Sequence, residues 1–233
     1  MRADKYLSDA GYGTRATIKK LIKDRKVIVN DVIIKKSDFQ INQNDIVYVN
    51  DEKVKYYENL YLIMNKPAGV VSATVDNIHK TVIDLIKDYP VKNLFPVGRL
   101  DIDTVGLLIL TTDGNFSHRV TNPKSIIYKT YYAKFTGEYR EEIIKIFQEG
   151  ITLDDEITKP AYFEYLGDNS CNISICEGKF HQVKRMMKAV NLEVIYLKRV
   201  KYGSLILDSS LEEGEYRMLS NDEIKLIFKW NIF

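Results

Sequence analysis

One stretch decides how this chain is interpreted: residues 96–106 read Pro96-Val97-Gly98-Arg99-Leu100-Asp101-Ile102-Asp103-Thr104-Val105-Gly106. Two carboxylates, one arginine and two glycines stand there directly before the apolar run Gly106–Leu110. That run predicts a buried strand, and Asp113-Gly114 predicts its end. The sequence therefore predicts a polar loop beside a core strand, where a carboxylate could act as a nucleophile or base.

The same loop has two other interpretations. Loops of this composition usually form a tight turn with their charges in solvent. Asp101 to Val105 also matches the Asp-x-Asp-x-[Thr/Val] pattern of haloacid-dehalogenase phosphatases, whose first Asp ends a central parallel strand and whose chemistry uses Mg²⁺. Here the apolar strand follows the motif instead of preceding it, which disfavours the phosphatase.

Two further stretches carry candidate residues. The segment Glu177–Met186 predicts a helix with Lys184 offset from its apolar face, either as a solvated cation or as a partner for a carboxylate or phosphate. In the strand that follows Tyr128, alternation places Tyr131 on the face opposite Tyr128 and Tyr132. A strand tyrosine is usually a core residue, but one beside a reactive carboxylate could stack on a base.

Charge is distributed unevenly along the 233 residues, although the net charge is only +2. Residues 1–36 carry ten Lys/Arg and four Asp, and residues 176–203 carry seven Lys/Arg and two Glu, whereas residues 141–170 have eight acidic and two basic side chains. Two basic regions indicate a polyanionic partner, although helix surfaces are often charged without one. In the first region Arg15, Lys19, Lys20 and Lys23 lie on one side of a predicted helix.

Composition excludes several classes of protein. An apolar fraction of 45% is typical of a globular chain, not a disordered one, and no apolar run is long enough to span a membrane. We see no secretory signal, and two cysteines suit a reducing cytosol, so a cytoplasmic location is expected. Scattered His and Cys predict no metal site, and the absence of Gly-rich phosphate-binding motifs predicts no nucleotide cofactor.

The pattern of helices and strands predicts an α+β fold in two domains, residues 1–58 including a linker at 51–58, and residues 59–233. Strands and helices mix without strict βαβ alternation. The predicted elements are helices at Ala3–Ala10, Arg15–Asp24, Thr81–Lys87, Asn115–Val120, Glu141–Gln148 and His181–Val190, a capped helix from Ser220, a hairpin at Val27–Ile34, and strands at Asp45–Asn50, Tyr61–Met64, Gly106–Leu110, Tyr128–Phe135, Asn172–Cys176 and Glu193–Val200.

Taken together, these motifs resemble the RsuA/RluB/RluE/RluF family of ribosomal-RNA pseudouridine synthases, over nearly the whole chain. The family's catalytic pattern stands here as Gly98–Leu107 followed by Thr111–Gly114. Its lysine-threonine-tyrosine stretch is Lys129-Thr130-Tyr131, and its basic helix is Gly178–Met186. Residues 1–50 resemble the S4 RNA-binding module.

The resemblance implies a small S4-like module followed by a catalytic domain with a central, mostly antiparallel mixed sheet. It implies that Asp101 attacks the target uridine at the sugar or the base, that Tyr131 stacks on the extruded base and that Lys184 pairs with Asp101. Arg99 would help to hold the base out, and Asp103 would be structural. Lys184 stands where many members have arginine, and an ammonium cannot make the paired bonds of a guanidinium.

The family also implies an isomerase without cofactor, since moving uracil from N1 to C5 needs no redox change or energy input. The two motif stretches are most similar to the enzyme of 16S rRNA, so the expected substrate is 16S rRNA or a small-subunit assembly intermediate. A 23S rRNA enzyme of the same family, and a non-catalytic RNA-binding assembly factor, are the alternatives. We expect a monomer that binds no membrane.

The basic helix yields the first testable prediction. The triple variant Arg15→Ala, Lys19→Ala, Lys23→Ala should bind rRNA about tenfold more weakly at moderate salt, roughly 1.4 kcal/mol. The magnitude of the slope of log K against log salt should fall by roughly two to three units, because binding with fewer phosphate contacts releases fewer counterions. Salt titrations of binding measure both quantities. An unchanged slope in a variant that folds normally would indicate that the RNA binds the basic 176–203 segment instead.

Overall fold

The computed structural model describes residues 1–230 and divides into two compact units. The first comprises Met1–Leu60 with Ile86–Leu94, and the second comprises Tyr61–Leu85 and the chain from Phe95 onward. The sequence placed residues 86–94 in the second domain, and positions 231–233 of that domain lie outside the described residues. Within residues 1–230 no helix is long and apolar enough to cross a membrane.

The first unit has two short helices and a four-stranded antiparallel sheet in the order β2-β1-β3-β4. Its elements are α1 (Ala3–Asp9), α2 (Arg15–Lys23), β1 (Val27–Val29), β2 (Val32–Ile33), β3 (Val47–Val49) and β4 (Glu52–Lys53). Thr14 caps α2 by accepting from the Thr17 amide, and Ile18 and Ile22 are buried, as predicted. Its basic side chains, at positions 15, 19, 20 and 23, are exposed.

The predicted linker at 51–58 is partly wrong. Glu52–Lys53 is strand β4, paired with β3, and Val54 is buried in the core of the first unit. The turn that allows this pairing is Asn50-Asp51, where both residues have positive φ, 50° and 66°. Asn and Asp tolerate that conformation, and a two-residue turn of this kind matches the strand twist. The strand is too short and too charged to show a period.

The second unit is built on a nine-stranded sheet with the path β11-β12-β8-β13-β7-β5-β15, in which β6 pairs with β7 and β14 with β13. All its pairings are antiparallel except β13 with β7, which confirms the mixed, mostly antiparallel α+β fold. Its elements are β5 (Tyr61–Lys66), β6 (Phe95–Pro96), β7 (Val105–Thr111), α3 (Gly114–Thr121), β8 (Lys129–Thr136), α4 (Glu142–Glu149), β9 (Thr152–Leu153), β10 (Glu156–Ile157), β11 (Tyr162–Gly167), β12 (Ser170–Ile175), α5 (Gln182–Ala189), β13 (Glu193–Tyr202), β14 (Leu205–Ile206), β15 (Tyr216–Met218) and α6 (Asn221–Leu226).

The predicted elements of this unit are confirmed within a few residues, with one exception. Thr81–Lys87 is not an α-helix but holds a single 3₁₀ turn, Ile83–Leu85. The Thr81 amide donates to the Asp84 carboxylate (2.8 Å) and the Asp84 amide donates to the Thr81 hydroxyl (3.2 Å). These two reciprocal hydrogen bonds close a single turn, and the helix does not continue beyond it. The capping box at Ser220 is confirmed. Strands β6, β9, β10, β11, β14 and β15 were not predicted.

Gly106 lets β13 approach β7 closely. Its φ is +100°, a conformation that L side chains rarely adopt, and a Cβ there would overlap the backbone oxygen of Arg199 on β13. We expect Gly106→Ala to lower the melting temperature by roughly 5–10 °C, since it combines backbone strain with a backbone clash. Thermal denaturation measures the change.

Gly114→Ala is the matched control for Gly106→Ala. Gly114 begins α3, and an added Cβ there would meet nothing within 4 Å. The free energy of unfolding of this variant should stay within about 0.5 kcal/mol of the wild-type value. Equal melting temperatures for the two variants would contradict the steric role of Gly106.

Candidate active site

Asp101 lies in the loop between β6 and β7, and the backbone of this loop is held from several sides. Ser72 Oγ accepts from the Leu100 amide and donates to the Leu100 carbonyl, both at 3.0 Å. The Gly69 amide donates to the carbonyl of Ile102 (2.8 Å), and the Thr104 amide donates to that of Asp101 (3.1 Å). The carboxylate is therefore presented by a loop with little backbone freedom.

A buried lysine closes the same loop from inside the sheet. Lys66, at the end of β5, has no exposed surface, and its Nζ donates to the carbonyl oxygens of Pro67 (3.0 Å), Asp101 (3.1 Å) and Thr104 (2.9 Å). Burial lowers the pKa of Lys66 to about 8, so the side chain is still mainly an ammonium at neutral pH. The carbonyl of Ile102 is a fourth acceptor at 3.4 Å, so three of the four acceptors belong to the Asp101 loop and tie it to the sheet.

The Lys184 ammonium of α5 bridges the two carboxylates of the loop. Its Nζ lies 3.3 Å from Asp101 Oδ2, and 2.6 and 2.8 Å from the two oxygens of Asp103. Burial acts to raise the pKa of Asp103, but the hydrogen bond and charge of Lys184 outweigh it and hold that pKa below its usual value. The expected pairing with Asp101 is present, and Asp103, assigned a structural role, is the closer partner.

His181 is a second candidate partner for Asp101. Its Nε2 lies 3.7 Å from Asp101 Oδ1, a distance that gives an ion pair when the imidazole is protonated. The residue precedes α5 with φ 47° and ψ 34°, a left-handed conformation that is uncommon for a side chain other than glycine. No role was predicted for this histidine from the sequence.

These groups open into a cavity of about 810 Å³, within the range of small-molecule sites. Tyr131 of β8 lines it and is 8% exposed, so its ring combines a core position with a face toward the cavity. Arg99 and Asp101 line it from the loop, and Lys184 from α5. The four site residues predicted in the second domain therefore share one cavity, while the four basic residues of α2 belong to the first unit.

Two cations of the cavity were not predicted individually. Arg199 of β13 is 2% exposed; its Nε donates to the Leu107 carbonyl at 2.7 Å, and its Nη2 is buried with no hydrogen-bond partner among the described residues. Burial lowers the pKa of Lys129 on β8 to about 8, and the nearby Arg199 charge adds to the effect. In sequence each of them is one of several polar residues of its strand, so no local signal distinguished them.

The phosphatase interpretation of the Asp101 loop is wrong for this fold. That chemistry needs the first Asp at the end of a central parallel strand, whereas the strand before this loop, β6, has two residues and pairs antiparallel with β7. The long strand β7 begins only after the motif, at Val105. Asp101 thus lies on a connection between antiparallel strands.

Comparison with known proteins identifies the fold that carries this cavity as that of an RNA-modifying enzyme of the pseudouridine synthase class. The chain belongs to the RNA pseudouridylate synthase family, whose model matches residues 60–189, and a model of the S4 domain matches residues 1–47. It is an isomerase that acts on RNA, as the resemblance implied.

Relatives match the chain along nearly its whole length. The ribosomal small subunit pseudouridine synthase A of Haemophilus influenzae is 41% identical, covering 98% of this chain and 100% of the relative. That of Escherichia coli is 35% identical, covering 96% and 98%. A crystal structure of a pseudouridylate synthase superposes with a TM-score of 0.70 at 39% identity, covering 97% of this chain and 99% of that one.

The geometry around Lys184 yields a prediction that separates the two carboxylates. Lys184→Met should lower kcat for pseudouridine formation roughly 100-fold or more, because it removes the cation next to Asp101. Asp103→Asn should keep kcat within about tenfold, because it leaves Lys184 free to approach Asp101. Steady-state assays on rRNA measure both kcat values. A larger loss of kcat in Asp103→Asn than in Lys184→Met would contradict this prediction, because it would make Asp103 more important for the reaction than the cation.

Proposed function

We propose that this chain converts one uridine of 16S rRNA to pseudouridine, as the resemblance predicted. The observation that carries the proposal is the Asp101 carboxylate, paired with Lys184 and lining one cavity with Tyr131. The names of the relatives, which are small-subunit ribosomal enzymes, support a 16S target over a 23S target. An intact carboxylate with its cation argues against a non-catalytic assembly factor, since a binder of phosphates gains nothing from it.

In this proposal the uridine leaves the RNA stack, because its reacting atoms cannot be reached inside it. The Asp101 carboxylate attacks the sugar or the base, and the C1′–N1 bond breaks. The freed ring turns, C5 bonds to C1′ and Asp101 is released. C5 then loses its proton to solvent or a nearby base, and N1 takes up one proton, so the product is an isomer of uridine. Lys184 pairs with the Asp101 carboxylate, Tyr131 stacks on the uracil, and Arg99 helps to hold the nucleotide out.

Three further features belong to the proposal. The enzyme acts as a monomer, the state expected from the sequence. It works in the cytoplasm on free 16S rRNA or on an assembly intermediate, and its two buried cysteines, Cys171 and Cys176, are unpaired, as a reducing compartment requires. The basic face of α2 in the S4 domain contacts RNA phosphates.

The proposal predicts that Asp101→Asn abolishes pseudouridine formation, leaving less than about a hundredth of the wild-type rate. Rates are measured on 16S transcripts by chemical mapping of pseudouridine. The amide has nearly the same shape as the carboxylate but is not a nucleophile, so RNA binding and melting temperature should hold.

Asp168→Asn is the matched control, since it makes the same change in the exposed β11–β12 turn. It should retain the full rate. Turnover by Asp101→Asn above the stated limit would refute the assignment of the nucleophile. Modification of 23S transcripts only would move the proposed target to the large subunit.

A further inference from the structure

Phe180 is a large apolar side chain left in solvent at the rim of the cavity. It is 75% exposed, whereas the other exposed aromatic residues within the described chain, Phe39, Tyr165 and Phe228, are at most 40% exposed. Phe180 lines the same cavity as Asp101. Its ring stacks on His181, with centroids 3.8 Å apart and planes 18° from parallel. Two parallel rings therefore stand next to the reactive carboxylate, and one of them has a face open to solvent.

The loop that carries this ring pair is fixed by a buried glutamine. Gln182, 3% exposed, accepts from the Lys179 amide (2.9 Å) and donates to the Glu177 carboxylate (2.7 Å). Arg185 donates to the Phe180 carbonyl (3.4 Å) and pairs with Asp154 (2.6 Å). These contacts hold the loop although His181 has a left-handed backbone, so the exposed ring is preorganised.

We infer that Phe180, backed by His181, is a stacking site for the nucleobase adjacent to the extruded uridine. This inference rests on the proposed function, since extrusion of a base removes the stacking partner of its neighbour. An aromatic side chain can replace that partner for any base, because every base has a π-face. The ligand is thus a nucleobase of single-stranded RNA, and the cations Arg99 and Lys179, which also line the cavity, suit its phosphates.

The test uses a short oligouridine RNA with one 2-aminopurine at its centre, a base whose fluorescence falls when it stacks on an aromatic ring. The wild-type protein should quench the probe on binding. Phe180→Ala should remove most of the quenching and weaken affinity roughly tenfold, about 1.4 kcal/mol. Phe180→Trp should retain both properties, whereas Phe180→Leu, which is apolar but not planar, should behave like Phe180→Ala.

Ile195→Ala is the matched control, because Ile195 is 64% exposed on β13 and does not line the cavity. It should leave quenching and affinity unchanged. Equal quenching by Phe180→Ala and wild type, or none by the wild type, would overturn the stacking site. A wild-type protein that quenches the probe through Phe180 but forms no pseudouridine in 16S rRNA would refute the proposed function and leave the stacking site in place.

Discussion

The active site depends on the buried ammonium of Lys66. A charge without solvent exposure is stable only where hydrogen bonds replace water, and here backbone carbonyls from both sides of the site supply them. Because the Lys66 ammonium donates to the carbonyls of Asp101 and Thr104, movement of the loop away from β5 would leave a buried charge without these hydrogen-bond acceptors. The position of the Asp101 carboxylate is thus set by a group that has no exposed surface.

The second constraint is electrostatic and lies on the other side of Asp101. Lys184 is shared between Asp101 and Asp103, and it makes its shorter contacts to Asp103. A cation held by two carboxylates is oriented before substrate arrives, which is how a preorganised site stabilises charge. The contacts to Asp103 therefore add to the orientation of this ammonium without being its only support.

The two sides of the cavity differ in how they hold their groups. On the sheet, Tyr131 and Arg199 are directly paired neighbours on β8 and β13, and both are nearly buried, so packing fixes them. On the α5 side, Phe180 and His181 are carried by a loop fixed by hydrogen bonds from Gln182. Rigid strands suit a pocket for one base, whereas a preorganised rim suits contacts with the nucleotides around it.

Local patterns in the sequence were enough to predict the strongly patterned elements, such as β7, α2 and α5. They also singled out Asp101, Tyr131 and Lys184, which line one cavity. Apolar periodicity, capping residues and the family pattern are all read along the chain, so they need no tertiary information. The short strand β4 and the single turn at Thr81 were not predicted. A few hydrogen bonds form these elements, which are too short to show a periodic pattern of apolar residues.

Which partners these residues contact depends on how distant parts of the chain come together in the fold. Lys66 precedes Asp101 by 35 residues and Lys184 follows Asp103 by 81, so neither contact shows as a local pattern. The sequence pairs Lys184 with Asp101 only by resemblance, and it cannot rank the two carboxylates, because that order depends on distances of 2.6 and 3.3 Å. Charges and rings are visible in sequence, but their burial and separation arise when the sheet brings distant strands together.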